Sequence, residues 1–97
     1  MKKFKVLIEG RNFVIEENNK CKKYGFFTTR FVQAEDAFHA ETIALDLIRN
    51  ELNNVVLNEQ VDPPMLHVEA INEVASFGGN LVPGTGFSWY IEGLTGD

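Results

Sequence analysis

The chain has 97 residues, 44% of them hydrophobic and 24% charged. That length and composition fit a single globular domain over 1–97 and exclude a disordered chain. Nine Lys and Arg against 14 Asp and Glu give a net charge of −5, which works against general binding to phosphate backbones.

The first element reads as a strand, because Phe4, Val6 and Ile8 alternate with Lys3, Lys5, Leu7 and Glu9. Gly10-Arg11 offers a two-residue turn with glycine first, and Phe13 and Ile15 then resume the alternation. That hairpin would set Ile8 against Phe13 and Val6 against Ile15 on one face. Residues 18–23 read as a polar loop. A third strand, Tyr24 to Gln33, is rich in aromatic and β-branched residues. Phe27 and Phe31 share one side of it, and Phe26, Thr28, Arg30 and Val32 the other.

A helix is expected from about Asp36 to Leu52, with Glu35 and Asp36 at its start and Arg49 near its end. Ala37, Ala40, Ala44, Leu47 and Ile48 fall on one stripe, and the alanines would let the helix lie close to a sheet. Asn53-Asn54 can end it, and Val55–Leu57 reads as a short extra strand or turn. Asp62-Pro63-Pro64 is a break. Met65 to about Ala75 then reads as a strand, with a bulge expected at Ile71-Asn72 where the alternation changes phase. Residues 76–86 form a glycine-rich loop, Phe87 to Glu92 a last strand, and 93–97 a frayed tail.

The sequence therefore predicts a two-layer α+β sandwich: a mainly antiparallel sheet of about five strands, in sequence order β-β-β-α-β-β, with one long helix on one face. A helix about 10 Å across cannot cover five strands spaced about 4.8 Å apart. The opposite sheet face would carry Leu7, Val14, Phe26, Thr28, Arg30, Val32, His67, Ile71 and Tyr90. Aromatics with arginine are what association surfaces carry. The candidate ligand- or partner-binding set is Phe26, Thr28, Arg30, Val32, His67 and Tyr90.

Two functions follow as expectations. One is a small non-enzymatic interaction module that self-associates, as a homodimer, through the sheet face the helix leaves bare, with room for a protein partner or small ligand. The other is a small one-domain dimeric enzyme, in which Arg30 holds an anionic substrate and His67 moves a proton. No catalytic set is defined by spacing. His67 with Glu69 could act as a base, but a lone strand histidine is an ordinary surface residue. Asp36 and His39 are two ligands, too few for a metal, and no cofactor motif is present. The 78–86 stretch lacks the Lys-Ser/Thr ending of a phosphate loop and reads as a flexible hairpin loop.

The charge is unevenly spread. Residues 1–30 hold eight bases and three acids (+5), and residues 31–97 one base and 11 acids (−10). A nucleic-acid contact would rest on an aromatic sheet face with Arg30, where bases could stack, and on the bases Lys2, Lys3, Lys5, Lys20, Lys22 and Lys23; the net charge opposes it. Cys21, the single cysteine, can form no internal disulfide and reads as an exposed bystander. Val6-Leu7-Ile8 is too short for a secretion signal, and no apolar run nears the roughly 18 residues that span a bilayer. A cytoplasmic protein without a membrane anchor is expected.

Overall fold

A computed structural model describes residues 1–53 and 63–94. The described elements are β1 (Lys2–Glu17), β2 (Lys20–Ala34), α1 (Ala37–Leu52), β3 (Met65–Val74) and β4 (Ser88–Leu94). They make an α+β fold with one helix and a four-stranded antiparallel sheet in the order β3-β1-β2-β4. Among the described residues the sheet has four strands instead of the expected five, because the two segments expected before and after Gly10-Arg11 are one strand of 16 residues.

Chain reversal comes instead at Asn18-Asn19, whose φ values of 53° and 64° are left-handed. Glu17 pairs with Lys20 across them, which is the two-residue hairpin turn that asparagine tolerates. The expected polar loop at 18–23 is therefore a tight turn, and Lys20 to Lys23 belong to β2. Gly10 has a different use. Between Gly10↔Phe26 and Phe13↔Tyr24 the register slips by one residue, with Asn12 at φ 62°, a bulge that bends the strand. The Phe26 ring lies over Gly10, in the space a Cβ would need.

The helix follows the sequence closely. Asp36 caps it, its Oδ1 accepting from His39 N at 2.8 Å, while His39 Nδ1 accepts from Glu35 N at 3.1 Å. Asn53 is the C-cap. Ala40, Ala44, Ile48 and Leu52 are its buried residues, one stripe at steps of four. Ala37 is exposed and lies outside that stripe. The stripe closes a core with Phe4, Val6, Ile8, Phe13, Phe26, Val32 and Ala34.

In β3 the bulge falls at Glu69, between Leu7↔Ala70 and Ile8↔Val68, and not at Ile71-Asn72. Gly93 and Leu94 extend β4 against Lys23 and Lys22, so the expected tail is shorter at its start. The expected element at Val55–Leu57 and residues 95–97 lie outside the described residues. No described helix is long and apolar enough to cross a membrane.

Candidate functional site

β2 turns to the core the face that its alternation assigned to the opposite side. Phe26, Thr28, Arg30 and Val32 pair with Gly10, Ile8, Val6 and Phe4 and are all buried in the helix-covered layer. Phe27, Thr29 and Phe31 take the uncovered face. A strand has a side-chain period of two, so one step of register exchanges the whole set. Both sets are apolar enough to be buried, and the expectation placed Phe27 and Phe31 inward. The fold instead buries Arg30, because partners wait for it there.

Arg30 is 0% exposed. Its Nη1 donates to Gly84 O at 3.0 Å and its Nη2 meets Glu51 Oε1 at 3.0 Å. Its guanidinium carbon stands 5.2 Å from the centre of the Phe87 ring, while Nε has no hydrogen-bond partner among the described residues. Beside it Thr28 Oγ1 donates to Gly86 O at 2.7 Å, and Phe31 N donates to Pro83 O at 2.8 Å. These three bonds pin the glycine-rich loop along β2. Phe26 sits nearby at the hub of an aromatic cluster, its ring 4.9–5.1 Å from those of Phe87, Phe13 and Trp89.

The pinned loop walls a groove on the bare side of the sheet, about 470 Å³ in volume. Its floor holds Leu7, Phe27, Thr29 and Phe31, and its wall Asn80, Leu81 and Gly84 to Gly86. Among the described residues, none of the lining side chains is charged. Phe27 is 41% and Leu81 75% exposed. Rows of cross-strand neighbours define the floor: Asn72–Lys5–Phe31, then Ala70–Leu7–Thr29, then His67–Glu9–Phe27–Ser88.

Glu9 anchors a polar corner at one end of this floor. Its carboxylate pairs with Arg11 Nε at 3.1 Å and accepts from the Tyr90 hydroxyl at 3.1 Å. Arg11 first, then Tyr90, holds the Glu9 carboxyl below the usual carboxylate range against the opposing effect of burial. The Tyr90 hydroxyl is pushed up, by burial first and by Glu9 next. Tyr90 reaches Glu9 because it lies across Gly25, where a Cβ would collide with its ring. Glu69 shares the corner, and His67 Nε2 is 3.8 Å from Glu69 Oε1.

Of the predicted site residues, His67 and Tyr90 therefore lie on the bare face as expected. Arg30 lies through the sheet from them, so the three do not line one pocket. Asp36 and His39 cap the helix, and among the described residues no three His, Cys, Asp or Glu side chains cluster to hold a metal ion. Cys21 is exposed. The six lysines divide, with Lys2, Lys3 and Lys5 at one end of the β1–β2 hairpin and Lys20, Lys22 and Lys23 at the other. Sequence reasoning missed Phe27, Thr29 and Phe31 as surface residues and Glu9 as a buried acid. A carboxylate two positions beyond Leu7, in an alternating apolar strand, was the available signal for the second.

No protein-family model, curated protein or solved structure matches this chain.

Proposed function

We propose that the protein is a small interaction module that self-associates, two copies packing through the sheet face that α1 leaves bare. One observation carries the reading: between Lys5 and Glu9, that face holds an uncharged groove floor of Leu7, Phe27, Thr29 and Phe31, with Phe27 41% exposed in the middle of a sheet. Apolar surface of this kind is stabilised by removal from water, at about 25 cal/mol per Å². A second copy supplies a matching apolar surface in one step. The rival pocket of Arg30 and His67 gains no support, because the sheet separates them.

Sedimentation velocity at micromolar concentration tests the proposal. The wild-type chain should run as a dimer. Phe27→Asp should run as a folded monomer, while Phe38→Asp, at a helix position 77% exposed, should stay dimeric. A monomeric wild type, or a Phe27→Asp variant that remains dimeric, overturns it.

A further inference from the structure

Resting on that reading, we propose that the segment Gly78 to Val82 is a flap whose tip, Leu81, closes over the groove floor of its own chain and so holds association back. Phe31 fastens both ends of this segment. Its ring meets the Phe77 ring edge-on, with centroids 5.9 Å apart, and its N–H donates to Pro83 O at 2.8 Å. Beyond Pro83 the chain is tied through Gly84 O to Arg30 and through Gly86 O to Thr28. Between the two anchors, among the described residues, the hydrogen bonds stay within the loop. Asn80 N and Nδ2 donate to Phe77 O at 3.1 and 2.9 Å, and Gly78 N donates to Ser76 Oγ at 3.2 Å. A segment bonded to itself and not to the sheet can tilt while the core stays packed.

The driving force for closure is apolar surface on both sides of one gap. Leu81 is 75% and Val82 52% exposed, and Leu81 stands in the wall of the groove whose floor holds Leu7, Phe27 and Thr29. Laying the tip on the floor removes both surfaces from water. The path is open as well. Gly78, at φ 61°, and Gly79 have nothing within 4 Å of a Cβ position, so no neighbour blocks a tilt at that end.

The chain's own tip also has the advantage of tethering. Held at both ends beside the floor, it acts at an effective concentration of about a millimolar or more, so a second copy at micromolar concentration starts about a thousandfold behind. The second copy wins only by burying the larger area. Pairing then draws on the open arrangement, with Leu81 in water, and the apparent affinity falls by the open fraction once for each copy. With each flap closed about two-thirds of the time, the competent fraction is about one-third per copy and about one-ninth for both.

Leu81→Ser removes the apolar tip and leaves both anchors in place, so the sign of its effect decides the matter. Sedimentation equilibrium should give a dimer about tenfold tighter than the wild type. A weaker dimer would make Leu81 an interface residue, and an unchanged one would mean that the flap does not close; either result overturns the proposal. A second arm needs no dimer. Thr29→Cys in a Cys21→Ser background puts a thiol on the floor, and its alkylation is timed at nanomolar protein concentration with Leu81 and with Leu81→Ser. Losing the tip should speed the reaction about threefold, as the open fraction rises from about one-third to one. Equal rates overturn closure. If neither the wild type nor Leu81→Ser forms a dimer while the labelling still quickens, the parent reading falls and the flap stands.

Discussion

Arg30 shows how one buried charge is kept. Gly84 O and Glu51 take two of its nitrogens, and the Phe87 ring covers the guanidinium. Taking that charge out of water is costly and is offset only while these partners stay in place. Arg30→Ala is expected to cost about 3–5 kcal/mol, toward the lower end because Glu51 is 38% exposed on its side chain and regains water. Arg30→Met keeps the packed stem and removes the buried charge, so it should cost less. Urea denaturation of both variants checks the order, and equal losses would mean that stem packing contributes nothing. Glu9 makes a prediction on the pH axis. Its carboxyl is held below the ordinary value of 4.5, chiefly by Arg11, so its ionised form favours the fold. That contribution is complete above the unfolded-state value and is lost as pH falls through the depressed folded value. Glu9→Gln should therefore show a flatter fall in stability on acidification than the wild type. Arg11 is 61% exposed on its side chain, so the difference should shrink with added salt. Thermal unfolding from neutral pH down through the carboxylate range reads both effects.

Glycine positions decide how β1 and β2 lie together. A Cβ on Gly10 would collide with the Phe26 ring, and one on Gly25 with the Tyr90 ring. Phe26 is 0% exposed and hemmed in by Phe13, Phe87 and Trp89, whereas Tyr90 is only half-buried and can swing outward. Gly10→Ala should thus cost about 1–3 kcal/mol by overpacking, and Gly25→Ala less, with loss of the Tyr90–Glu9 hydrogen bond. Chemical denaturation of the two variants would show the reverse order if Gly10 served a turn alone. The same residue explains what the sequence made legible. Helix signals are local: a cap at Asp36 and an Ala40–Ala44–Ile48 stripe need only neighbours four positions away, and both were readable. Gly10-Arg11 is locally a good turn, but the ring that occupies the missing Cβ comes from a strand 16 positions later. The face of β2 was hidden for the same reason. The acceptors that let Arg30 point inward lie 54 and 21 positions away, and no period-two count contains them. Leu7, His67 and Tyr90 were placed on the bare face correctly, because their strands carry charged or polar residues on one side.

At the scale of the whole molecule, the fold extends 46 × 27 × 20 Å, and its longest element is the β1–β2 hairpin. Sixteen helical residues span only about 24 Å, so α1 roofs part of one face and none of the other. A chain of this length has little apolar area to spare, and a bare floor of Leu7, Phe27, Thr29 and Phe31 is area not yet used. If a second copy uses it, folding and association are linked, and stability becomes a function of protein concentration. Each tenfold rise in concentration then adds about 1.4 kcal/mol per dimer, or about 0.7 kcal/mol per chain, to the apparent unfolding free energy. For a domain near 100 residues, that raises the melting temperature by roughly 3–6 °C. Scanning calorimetry over a hundredfold concentration range should show the rise for the wild type and for Phe38→Asp. Phe27→Asp, which lacks the apolar contact, should melt at one temperature throughout. A wild-type melting temperature independent of concentration would mean that the bare face adds nothing to the folded state, and that the two-copy packing does not form.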